Sequence, residues 1–226
     1  MPKRIRRFLE ACSVLVAILL AFTLAEPQTR ARRAESDISL LPGYSTSVTG
    51  GIHDFDYFVG AWTVRQRTLK TRGVGSNEWQ EFPSMVCVTP YVNGMVEVSE
   101  MYSPTKGSTG FTVRAFDLKK QQWSVHYISS RNGEMDPGVF GGFNGAQGKF
   151  YGEDVDNGRP IKAQITWTEL DHEHARWEQA FSYDNHTWET NWIAEFTRAD
   201  PSTTCEGGHP KHRGVIFDHT NEAAPT

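Results

Sequence analysis

Alternation of apolar and polar side chains governs the middle of the chain. Trp62, Val64 and Gln66 share one phase of a two-residue period, and Thr63, Arg65 and Arg67 share the other. The same period sets Phe111, Val113 and Ala115 against Thr112, Arg114 and Phe116, and Trp123, Val125 and Tyr127 against Ser124, His126 and Ile128. Ile161, Ala163, Ile165 and Trp167 repeat it against Lys162, Gln164 and Thr166. A period of two puts one face of a strand in a core and the other in water. Asn93-Gly94, Lys119-Lys120, Asn132-Gly133, Asn144-Gly145, Asn157-Gly158 and Asp184-Asn185 punctuate the runs as turns. Short strands at regular spacing, without the longer crossovers of βαβ units, predict an all-β fold: an antiparallel up-and-down barrel of about 8–10 strands.

Two stretches test this reading. Residues 161–198 contain neither glycine nor proline, so a helix is permitted there. Trp188, Trp192 and Phe196 recur at intervals of four, which suits both periods, but Thr190 and Ala194 fall between them on the strand phase, and Trp and Thr favour strands. The expectation is two strands, about 175–183 and 188–198. Upstream, Ile52, Phe55, Phe58 and Val59 have helical spacing and predict one short helix at the barrel entrance, closing that end. The six glycines of residues 132–148 lack a following Gly-Lys-Ser/Thr and a helix, so they read as bulges and bends rather than a phosphate cradle.

Composition changes the picture at the two ends. With 38% hydrophobic and 22% charged residues in 226, the chain is neither wholly disordered nor a multi-span membrane protein. Residues 1–33 carry seven basic and two acidic groups, which leaves 16 basic and 25 acidic for the rest. So acidic a body offers no electrostatic footprint for nucleic acid. Lys3, Arg4, Arg6 and Arg7 precede an uncharged stretch from Ala11 to Ala25, too short for a spanning helix of ~20 residues and suited to an export signal. The expected organisation is a signal peptide over 1–25, a linker over 26–51, a barrel domain over 52–199 and a disordered polar tail over 200–226. The protein is then periplasmic or secreted, with no membrane partner for the mature domain; an uncleaved N-terminal membrane anchor is the alternative. Cys87 and Cys205 can pair after export, although one falls in a strand and the other in the tail.

Phe58-Val59-Gly60-Ala61-Trp62 resembles the F-x-G-x-W opening of the lipocalin and fatty-acid-binding barrels, the calycins. The resemblance implies that Gly60 turns the chain into the first strand, that Trp62 fills the barrel floor, and that Arg198, at the end of the last expected strand, covers its ring. More narrowly, residues 53–198 resemble an uncharacterised bacterial family of lipocalin-like proteins, through His53 to Trp62, Ser129-Ser130-Arg131-Asn132, Tyr151-Gly152-Glu153-Asp154, Trp177-Glu178-Gln179-Ala180-Phe181 and Trp188-Glu189-Thr190-Asn191-Trp192. That family carries no established activity. The Thr-Asp-Tyr motif of lipocalins is absent, and the gap from Lys70 to Glu78 is too short for the helical lid of fatty-acid-binding proteins, so a fatty-acid function does not carry over.

The candidate chemistry lies in polar groups on the apolar phase. Gln66, Tyr127, Gln179 and Thr190 share that phase with Trp62, Trp123, Trp177 and Trp188, and Glu97 and Ser99 join them if Met95 and Met101 face inward. A few polar groups among aromatic walls match a small-molecule pocket, and the candidate ligand-binding residues are Gln66, Glu97, Tyr127, Trp177, Gln179 and Thr190. A filled core in which these groups bond one another is the competing reading. Glu178, Glu189, Asn191, His126 and Arg131 fall on the solvent phase. Ser182 to Trp188 resembles an Asp-box turn whose Asp184 bonds turn amides. His172-Glu173-His174 lacks metal-ligand spacing and reads as a polar turn. No metal, cofactor or nucleophile–base pair is implied. The function expected is an exported barrel that binds a small, apolar or amphipathic ligand. A scaffold for envelope or secreted interactions and a barrel enzyme (isomerase, cyclase or hydrolase) using Glu97 or Tyr127 are the alternatives.

Overall fold

The alternating runs are strands. A computed structural model describes residues 41–211, and in it β1 (Gly60–Leu69), β2 (Trp79–Tyr91), β3 (Val96–Ser103), β4 (Ser108–Asp117), β5 (Gln122–Ser129), β6 (Val139–Asn144), β7 (Gln147–Asp156), β8 (Arg159–Glu169), β9 (His174–Ser182) and β10 (Glu189–Ala199) follow one another. Each pairs antiparallel with its neighbours in sequence, and β1 also pairs with β10, from Ala61 opposite Ala199 to Thr68 opposite Trp192. The result is a closed up-and-down barrel of ten strands with no free sheet edge. The two strands expected over 175–183 and 188–198 are β9 and β10.

One end of this barrel is plugged. The expected helix over residues 52–59 is tighter: successive i→i+3 bonds (Asp54 to Gly51, Asp56 to His53, Phe58 to Phe55) leave only a 3-10 turn at Asp56–Phe58. Asp54 competes with a longer helix by accepting the Gly51 amide at 2.8 Å and the Phe143 amide at 3.2 Å. The turn drops Phe55 and Phe58, 1% and 0% exposed, into a core with Trp62, Trp123, Phe150, Trp167 and Phe196. Phe58 lies 4.6 Å from the Trp167 ring centroid and 5.3 Å from that of Trp62. Gly60, at φ +122, then turns the chain into β1, a conformation open to glycine alone at little cost.

Both flanks depart from expectation. Residues 43–51, expected as part of a linker, form a strap along the barrel. Gln122 donates to the carbonyls of Thr46 and Val48 at 2.8 Å, the Gly50 amide bonds Gln121, and Trp123 donates to the Gly51 carbonyl. The strap passes so close to β6 that a Cβ on Gly142 would lie 2.4 Å from the Gly50 nitrogen, which accounts for the glycine there. Residues 200–211, expected as the start of a disordered tail, are ordered. Asp200 caps a short helix α1 (Pro201–Thr204), and β11 (Cys205–Glu206) pairs with β12 (His209–Pro210). A disulfide joins Cys205 to Cys87 in β2, and His209 pairs with Glu100 of β3. A covalent tie and a cap compensate for the scarcity of apolar side chains here. The expected signal segment, most of the expected linker and the rest of the tail lie outside the described residues.

Candidate ligand-binding cavity

At the plugged end, the Trp62 indole donates to the Phe58 carbonyl at 2.8 Å, and the Arg198 guanidinium stands 4.1 Å over its ring. Arg198 also donates to the carbonyls of Val59, Tyr57 and His172, so one side chain ties the last strand to the entry turn and a neighbouring hairpin. Beyond this plug the inward phases of the strands enclose a cavity of about 160 Å³. Val86, Met101, Val125, Ile165, Trp177 and Trp192 are among the apolar side chains of its wall. That volume is close to that of the engineered apolar cavity, about 150 Å³, that admits benzene.

Four of the six expected ligand residues line the cavity: Gln66, Tyr127, Trp177 and Gln179. Their polar atoms are partly engaged already. The Gln66 amide nitrogen donates to Ser84 Oγ at 2.9 Å and approaches Met101 Sδ at 3.2 Å, while its oxygen accepts from the Trp192 indole at 2.6 Å. Gln179 donates to Asn191 at 2.9 Å. Tyr127 lies over Gly110, where a Cβ would fall 2.3 Å from its hydroxyl, and burial pushes that hydroxyl's pKa up. The Trp177 ring packs edge-on against Trp192 at 5.4 Å.

The other two depart from the expected placement. Thr190 is exposed rather than inward-facing. Between β9 and β10 the register runs from Thr190 opposite Ala180 to Trp192 opposite Gln179, so Asn191 is an extra residue. A bulge of one residue reverses the phase on its far side, which sends Thr190 outward and sets Trp188 against Tyr151. Asn191, expected on the solvent face, is instead 1% exposed. Glu97 is buried as expected, yet it is not on the wall; it touches Arg114, which is.

Arg114 is the residue that the alternation pattern does not single out. Its side chain is 3% exposed, and its Nη1 donates to Glu97 Oε2 at 3.3 Å and to Ser99 Oγ at 3.1 Å. The guanidinium carbon sits 5.1, 5.1 and 5.2 Å from the ring centres of Phe55, Phe58 and Trp167. Burial raises the Glu97 carboxyl to about 7; Arg114 opposes this, and Asp56 adds to it. Burial likewise lowers Arg114, and Glu97 opposes it. Three polar atoms around this pair are buried without a partner: Arg114 Nε, Tyr57 Oη and Trp167 Nε1. The sequence does hold a signal for the placement. Phe116 pairs with Trp123 across the β4–β5 turn, so the inward Trp123 carries Phe116, Arg114 and Thr112 inward with it.

Asp136, Glu153 and Asp154 also line the cavity, toward the end opposite the plug. Burial raises the Asp136 carboxyl, the Tyr127 amide at 2.9 Å opposes that, and Asp154 adds to it. Nearby, Asp184 accepts from the His186 and Thr187 amides, both at 2.8 Å, which hold it well below the usual carboxylate range and fix the β9–β10 turn.

Together these features define a class: a closed antiparallel ten-stranded barrel with a mainly apolar cavity beside the buried Glu97–Arg114 ion pair. No known family and no curated protein matches the chain.

Proposed function

We propose that this protein is an exported calycin-type barrel that holds a small, largely apolar ligand in its interior. The observation that carries the reading is the cavity itself, walled by tryptophan and aliphatic side chains with few polar atoms exposed to it. The calycin assignment draws support from Gly60, Trp62 and Arg198, whose geometry matches what the resemblance implies. Export draws support from the basic, apolar leader and from the Cys87–Cys205 disulfide, a bond that persists in oxidising compartments.

Native mass spectrometry of protein purified from its own source is the primary test. A retained small molecule, or saturable binding of a neutral apolar dye with quenching of tryptophan emission, is the expected result. An empty protein that binds such dyes only on unfolding overturns the reading in favour of a scaffold.

A further inference from the structure

The outer face of β2 and β3 carries an apolar strip, and the chain itself holds a segment to cover it. Ser99 and Met101 line the cavity, so Glu100 and Tyr102 of β3 face outward. Outward on β2 are Cys87, Met85 and Pro83, because Val86 lines the cavity and Ser84 bonds the inward Gln66. Cys87 stands opposite Glu100, and Met85 opposite Tyr102. The C-terminal hairpin occupies the first of these pairs: Cys205 is bonded to Cys87, His209 pairs with Glu100, and Gly208 lies against Thr89, toward the plug. Tyr102 is one step the other way, toward the open end, and is nevertheless only 4% exposed. Beside it Phe82, Pro83, Met85 and Pro104 line a surface groove, and both prolines are exposed.

We propose that Val215-Ile216-Phe217 of the same chain docks on this strip, with the Phe217 ring against Met85 and Tyr102. Reach favours it. The Lys211 amide bonds the Thr204 carbonyl, which lies 4.0 Å from Cys87 Sγ, so the chain leaves the hairpin beside Cys87. Met85 stands ~7 Å further along β2 and Pro83 ~13 Å, at the rise of an extended strand. Four steps from Lys211 to Val215 span at most ~14 Å, which matches that interval, and Gly214 lets the chain turn onto the strip.

Chemistry favours it as well. Val215 to Phe217 is the only run of three large apolar side chains after β10. Asp218 follows Phe217 as Lys106 lies two residues beyond Pro104, so the anion of the segment meets the cation of the β3–β4 turn. Lys106 already folds back over the groove, 5.0 Å from the Phe82 ring centre. Docking gives the disulfide-held hairpin a second anchor on the barrel exterior, and it stands whatever the cavity binds.

The test uses the full chain, labelled with carbon-13 at the methionine methyl groups, in solution NMR. The Met85 methyl, assigned with Met85→Leu, should show a nuclear Overhauser contact to the Phe217 ring. Phe217→Ala should abolish that contact and move the Met85 resonance. Amides of residues 214–218 should exchange at least about tenfold more slowly than in a free peptide of residues 212–226. Phe217→Asp should remove this protection while the Cys87–Cys205 disulfide stays formed. Free-peptide exchange rates in the unaltered chain overturn the docking and need no variant. A Met85 resonance indifferent to Phe217→Ala overturns it too. A contact that fades on dilution, or that forms between separately labelled chains in a mixture, gives the groove to a second copy and overturns docking within one chain.

Discussion

At the scale of single residues, burial decides more than charge pairing. Glu97 has an arginine at 3.3 Å, yet desolvation moves its carboxyl from 4.5 to about 7. The folded chain therefore binds this proton more tightly than the unfolded one. The associated stability is fully present below pH about 4.5 and is lost as pH rises through about 7, a change of about 3 kcal/mol at most. Urea unfolding across that window should show stability falling with pH in the native protein and a flatter profile in Glu97→Gln. Equal slopes in both would mean that Glu97 is not the group responsible. Trp62 and Arg198 give the second prediction at this scale. Trp62→Ala should cost ~3–5 kcal/mol as a large-to-small core change. Arg198→Ala should cost ~1–2 kcal/mol, and the double mutant less than the sum, because each loses the same stacking contact. Strict additivity in the cycle would contradict the contact.

At the scale of elements, legibility in the sequence follows how far a strand keeps its period. The inward phases of β1, β5 and β9 hold without interruption, and Gln66, Tyr127, Trp177 and Gln179 accordingly reach the cavity. β10 breaks at Asn191, and nothing in Trp188-Glu189-Thr190-Asn191-Trp192 marks one asparagine as surplus, so an unbroken period puts Thr190 inward. The strap over residues 43–51 is illegible for another reason: it is held mainly by side chains bonding its carbonyls, which leaves no hydrophobic period. Arg114 does not stand out because an arginine on an alternating strand is by default solvated; the inward Trp123 opposite Phe116 and the inward phase of its partner Glu97 are the available clues. The bulge makes its own prediction. Asn191→Ala removes the buried acceptor of Gln179 and should cost ~1–3 kcal/mol, read by thermal or chemical unfolding. Tyr127→Phe, which keeps the ring over Gly110, should alter ligand affinity more than stability. An unchanged affinity would place the hydroxyl outside the recognition surface.

At the scale of the whole molecule, closure is achieved twice, once by hydrogen bonds and once by a covalent bond. The β1–β10 ladder seals the sheet, while the Cys87–Cys205 disulfide spans 118 residues and pins the C-terminal hairpin to β2. Restricting an unfolded loop of that length is worth about 4–5 kcal/mol on a chain-entropy account. Cys205→Ser should therefore lower the unfolding midpoint without changing the cavity, since neither cysteine lines it. The same bond relates stability to compartment, because disulfides form and persist in oxidising environments. Protein recovered outside the cytoplasm should accordingly show an intact mass lacking the leader, with cleavage near Ala25, and two thiols that react with an alkylating agent only after reduction. A full-length mass confined to the membrane fraction would replace the signal with an anchor. Free thiols at Cys87 and Cys205 in exported, folded protein would remove the disulfide from the argument for export and leave the leader to carry it alone.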